Sequence, residues 1–147
     1  MSLRNQSITA LLAAGLVACG GTSFEPRNHE LASGAPVRIT VAPGDYRAGT
    51  TVPLVVRNLG DVEYVWNPCM RTLERNAGGE WVAGGEPERV CNALGWMLGP
   101  GKHTETTTDL AESLPAGEYR FRYGFSRRAG DFNVTDQQVS NSFSVAR

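Results

Sequence analysis

The sequence predicts an all-β fold, two antiparallel sheets packed as a sandwich, on three observations. From Val37 onwards, apolar residues recur with a period of two in short runs. Clusters rich in Gly and Pro separate those runs, and no sustained helical period follows residue 18. About seven to nine short strands with one apolar face each bury those faces best by pairing two sheets.

The elements follow in order. Val37, Ile39 and Val41 alternate with Arg38 and Thr40 until Pro43 and Gly44 break the run. Val52, Leu54 and Val56 form the next apolar face, with Pro53 favouring an edge or a strand start. Asn58, Leu59, Gly60 and Asp61 supply turn chemistry before Val62, Tyr64 and Trp66, so these two runs predict a hairpin that Asn67 and Pro68 end. Residues 70–75 predict a separate short strand, and Gly78-Gly79 turns the chain into Glu80, Trp81, Val82 and Ala83. Residues 84–101 are the least regular part and hold Cys91, Trp96 and Met97. Thr104, Thr106, Thr108 and Leu110 mark a polar strand, and residues 110–114 a short turn. The cleanest alternation is Tyr119, Phe121, Tyr123 and Phe125 against Glu118, Arg120, Arg122 and Gly124. Val139, Phe143 and Val145 close the domain.

The N-terminus has a different grammar. Arg4 gives a positive start, residues 8–18 form an apolar run, and small residues precede Cys19. A run of eleven residues is too short to cross a hydrocarbon core, which takes about 17–25 helical ones. A secretory signal cut near Ala18, a retained anchor and a short buried helix all fit that length. Leu16-Val17-Ala18-Cys19, however, resembles the lipobox of bacterial lipoprotein precursors. The resemblance implies a signal peptide at 1–18, a diacylglyceryl group with a further acyl chain (commonly palmitate) on Cys19, and a tether at 19–36. It also implies an extracytoplasmic, membrane-anchored chain. Gly20 in place of Asp implies the outer membrane, facing periplasm or surface. Residues 20–36, rich in Gly, Ser and Pro, predict a flexible leash.

Given that resemblance, the odd cysteine count resolves. Lipid consumes Cys19 and leaves Cys69 and Cys91 to form a disulfide in a compartment that permits one. Two unpaired buried thiols are the alternative. Closing that loop stabilises by about 3 kcal/mol on the chain-entropy model.

Residues 37–147 then form a single domain of 111 residues, long enough for a real core. Leu114-Pro115-Ala116-Gly117-Glu118-Tyr119 resembles the corner where immunoglobulin-like folds place a tyrosine whose hydroxyl bonds upstream backbone. With Tyr46, Trp66, the Gly78–Trp81 turn and Gly99-Pro100-Gly101, the domain resembles immunoglobulin-like domains of bacterial lipoproteins, many without an assigned activity. A weaker similarity reaches the intracellular proteinase-inhibitor domain family of bacilli. The two body cysteines do not match the antibody pattern, so the similarity is to the sandwich and carries over no binding residues.

Chemistry-bearing groups are sparse. His103 is the one histidine of the body and lies on the polar side of its strand, away from any legible nucleophile–base pair. Glu86 and Glu88 flank Pro87 but lack the further ligands of a calcium loop, and no zinc or copper set exists. The formal charge of −1 and the absence of a Lys/Arg block give nucleic acid no footing. The expectation is a non-enzymatic envelope module without cofactor or metal, held to the membrane through Cys19 and binding a protein or glycan. The alternative is a proteinase inhibitor. Trp66 is expected in the core, and Trp81, Trp96 and Met97 form the candidate interaction surface.

Overall fold

The computed structural model describes residues 35–127 and 136–147. The signal segment, Cys19 and the tether up to residue 34 lie outside the described residues. Ten strands occur among those residues: β1 (Val37–Val41), β2 (Tyr46–Arg47), β3 (Thr51–Asn58), β4 (Tyr64–Ala77), β5 (Glu80–Ala83), β6 (Trp96–Leu98), β7 (His103–Asp109), β8 (Gly117–Ser126), β9 (Asp136–Val139) and β10 (Phe143–Ala146). β2 has two residues and β6 three, too short to leave a period in the sequence.

One sheet runs β1-β3-β7, and the other runs β2-β10-β8-β4-β5. β9 shares with β10 one edge of β8, and β6 shares with β5 one edge of β4. The faces that alternation marked as apolar meet between the sheets, where Ile39, Leu54, Trp66, Phe121 and Phe125 are fully buried. Trp66 stacks on Phe125 and meets Tyr123 edge-on, at 5.8 and 5.3 Å between centroids. This is an all-β sandwich of two sheets.

The run from Val52 and the run from Val62 do not form a hairpin. β3 pairs with β1 and β7, whereas β4 pairs with β8, so the chain crosses from one sheet to the other at 59–63. Asn58 holds that corner. Its buried amide donates to the carbonyls of Val62 and Leu98 at 2.7 and 2.9 Å, and its Oδ1 accepts the Gly60 N–H at 2.9 Å. Periodicity cannot separate such a corner from a hairpin, because both join two half-buried strands by polar residues. Pro53 likewise sits in the central strand of its sheet rather than at an edge. Its carbonyl accepts Ala42 N at 3.2 Å, beyond the last β1–β3 pair, so its missing N–H breaks no ladder bond.

Residues 64–77 are one strand of 14 residues rather than two. Between the pairs Trp66–Phe125 and Arg71–Tyr123, β4 places four residues where β8 has only Gly124. Asn67 Oδ1 accepts Cys69 N at 2.9 Å, which folds the extra residues into an Asx-type turn and lets pairing resume. The mismatch of three residues is odd, so the inward face changes parity. Trp66 points in before the irregularity, and Arg71, Leu73 and Arg75 take the inward phase after it.

Two tyrosine hydroxyls close loops in the same way. Tyr119 Oη donates to Pro115 O at 2.7 Å, the corner the sequence predicts, and Tyr46 Oη donates to Ala42 O at 2.6 Å. The second loop passes so close that a Cβ on Gly44 would lie 3.3 Å from the Tyr46 ring. Tyr119→Phe, which deletes one such bond while keeping the ring, should lower unfolding free energy by about 1 kcal/mol without changing the denaturant slope in urea titration.

Candidate functional site: the clamped edge of β4

β5 covers residues 74–77 of β4, and β6 covers residues 64–66 on the same edge. The stretch between them has no strand partner on that side. An open strand edge invites pairing with another chain unless something covers it. Here the irregular segment 84–95 does so, and every second residue of β4 ties it down. Asn67 Nδ2 donates to Asn92 O at 2.6 Å. Cys69 forms a disulfide with Cys91, with Cα atoms 5.7 Å apart. Arg71 pairs with Glu86, and Leu73 O accepts Gly84 N at 2.8 Å. The last approach requires glycine, since a Cβ on residue 84 would lie 2.9 Å from Leu73 O.

Arg71 is the unusual member. The parity change directs it into the sandwich, where its side chain is fully buried. Both carboxylate oxygens of Glu86 accept from its terminal nitrogens. Its Nε donates to Thr108 Oγ1 at 2.5 Å and its Nη2 to Asp109 O at 2.7 Å, and the guanidinium lies over Phe121 at 4.9 Å. One side chain thus joins β4, the loop and β7 of the opposite sheet. Arg89 adds a second guanidinium on Glu86 at 2.8 Å and reaches Asp109 O at 3.1 Å. Burial lowers the Arg71 pKa, and the Glu86 carboxylate opposes that shift.

Tyr123, cross-strand neighbour of Arg71, is buried, and among the described residues its hydroxyl has no hydrogen-bond partner. Desolvation raises its pKa well above the ordinary tyrosine value. Burial also raises Tyr46 and Tyr119.

Glu86 and Glu88 do not converge as a cation site. Guanidinium groups occupy Glu86, and Glu88 is exposed. Among the described residues no three His, Cys, Asp or Glu side chains gather. His103 is exposed on β7.

The three residues proposed from sequence as one surface divide. Trp96 and Met97 stand together on β6, Trp96 edge-on to Trp66 at 6.1 Å and Met97 66% exposed. Trp81 sits on β5 opposite Asn76, towards the other end of β4. There the Arg120 guanidinium covers its ring at 4.3 Å, and Arg120 and Arg122 share the Glu74 carboxylate. The pairing of β5 and β6 with opposite ends of one strand separates them. Three exposed apolar residues that sequence reasoning passed over join Trp96 and Met97 along this edge: Met70, Leu94 and Val90, the last with no measurable cover. Their exposure has no signature in periodicity, because the segment has no period.

No family model matches the chain, and no curated protein does. Among solved structures, the chain is similar to PapD-like domain 7 of human CEP192, an ASH/PapD-like domain. The identity is 13% and the TM-score 0.35, covering 98% of this chain and 100% of that one.

Removing either half of a buried ion pair strands the other. Glu86→Ala should therefore cost about 3–5 kcal/mol, and Arg71→Met with Glu86→Met distinctly less than the sum of the single changes, in a double-mutant cycle by urea titration. The pH response follows from Tyr123. Its folded pKa is raised, so its contribution is complete below the unfolded value of about 10 and is lost as pH rises beyond it. Tyr123→Phe should leave stability at pH 7 close to wild type and flatten the alkaline decline above about pH 10, measured by thermal melts.

Proposed function

We propose that the chain is a lipid-anchored, non-enzymatic immunoglobulin-like module of the bacterial cell envelope that engages a protein partner through the clamped edge of β4. The observation that carries this reading is the combination of exposed apolar side chains with a rigidly tied backbone. Met70, Val90, Leu94, Trp96 and Met97 lie along an edge whose backbone is fixed by a disulfide, a buried ion pair and two further hydrogen bonds. Large apolar groups in water cost free energy that a partner recovers, and prior immobilisation removes much of the ordering cost of binding. The anchor half of the reading rests on the Leu16–Cys19 motif and the apolar run before it.

A second reading has one specific observation behind it. Val90 projects fully into solvent next to the disulfide-bonded Cys91, on a segment tied on both sides, which is the arrangement a protease-inhibiting loop needs. A small apolar residue there suits a protease with a shallow apolar specificity pocket.

A photo-crosslinking residue placed at 90, 94 or 97 of the full chain in its native envelope should trap a discrete protein adduct. Placement at the exposed Ser144, in β10, should not. Equal adducts at both places, or none, would remove the partner-binding edge. Cys19→Ala should abolish fatty-acid labelling and release the product from the membrane fraction. Stoichiometric inhibition of an elastase-like protease, lost in Val90→Asp, would select the inhibitor instead.

A further inference from the structure

We infer that the end of the sandwich from which the tether leaves docks onto an anionic lipid bilayer, so that the domain is seated on the membrane rather than merely leashed to it. This rests on the lipid-anchor reading above. Pro36, the last residue before β1, has its carbonyl bonded to Leu59 N and Gly60 N at 2.7 and 3.2 Å. The tether therefore departs from the 58–62 corner. That corner exposes Leu59 and Val62, 47% and 37% accessible. Only 17 residues separate Cys19 from Val37, which keeps this end nearest the acyl chains.

Charge points the same way. Arg38, Arg57 and His103 are direct cross-strand partners, aligned side by side across β1, β3 and β7 on the outer face of that sheet. Lys102 adjoins them, its carbonyl accepting Asn58 N at 2.9 Å. Like charges directly opposite each other destabilise a sheet. Among the described residues neither Arg38, Arg57 nor Lys102 makes an ion pair. The next rank along the same face is Thr40, Val55 and Glu105, and the farthest pairs Thr51 with Asp109. The face is thus graded, cationic where the tether leaves and acidic at the far end. Asp61 and Glu63 are exposed at the corner itself, and Glu63 Oε2 lies 4.0 Å from where a Cβ on Gly99 would stand, beside Lys102, so the positive charge of the face rests on Arg38 and Arg57. Two apolar side chains beside a cationic rank match the interface of a bilayer that carries anionic headgroups.

The test uses the mature chain from residue 19, coupled through Cys19 to a maleimide lipid. It is held on vesicles of phosphatidylglycerol in phosphatidylcholine or of phosphatidylcholine alone. Hydrogen exchange read by mass spectrometry should slow severalfold for peptides covering 57–63 and 99–104 on the anionic vesicles, with 143–146 unchanged. Arg38→Glu with Arg57→Glu, and separately Leu59→Asp with Val62→Asp, should abolish that protection. Each pair lies on the surface and should leave the melting curve in solution unaltered, which checks folding. Equal exchange on both vesicle types, or protection that survives the charge reversal, would overturn the inference. Because the lipid is attached chemically, this result stands apart from the anchor itself. Mass analysis of residue 19 from the native envelope decides the anchor.

Discussion

The change of inward face within β4 is the constraint on which the rest of the structure depends. Four residues of β4 against one of β8 shift the alternation by an odd number, and that shift sends a guanidinium into the sandwich. A buried arginine demands a carboxylate and further acceptors, and Glu86, Thr108 and the Asp109 carbonyl supply them. Satisfying one charge therefore draws the 84–95 segment against the open edge of β4 and joins both sheets at that mouth. The disulfide lies two residues earlier on the same strand and reinforces a path that the ion pair has already chosen.

The fold class was legible in the sequence because strand alternation is a direct projection of burial. Tyr119, Phe121, Tyr123 and Phe125 are all buried in β8, and Val37, Ile39 and Val41 in β1, as their period of two requires. The tyrosine corner and the Cys69–Cys91 bond were legible for different reasons, a local motif and cysteine arithmetic. Connectivity was not. Whether two consecutive strands pair or face each other depends on where the intervening asparagine sends its amide, and Asn58 reaches Leu98, forty positions away.

The site was legible only in part. Trp96 and Met97, expected in an irregular segment, stand exposed on the short strand β6, whereas Trp81 belongs to a polar face organised by Arg120 and Glu74. Glu86 stood out only as a carboxylate beside Glu88, and its pairing with Arg71 gave no signal, since recognising it requires knowing the irregularity at 67–70 in advance. The basic rank was equally invisible. Arg38, Arg57 and His103 are far apart along the chain, and only strand register sets them side by side. A search for charged blocks in sequence therefore reports a nearly neutral protein and passes over a polarised sheet face.

The four ties along β4 belong to different branches of chemistry. A reductant acts on the sulfur bridge alone and leaves the buried guanidinium–carboxylate pair and the amide and backbone bonds at the two ends in place. Redundancy of this kind means that no one kind of chemistry holds the segment by itself. Loss of any one tie leaves three in place along the same strand, so the path of the segment does not hang on a single contact.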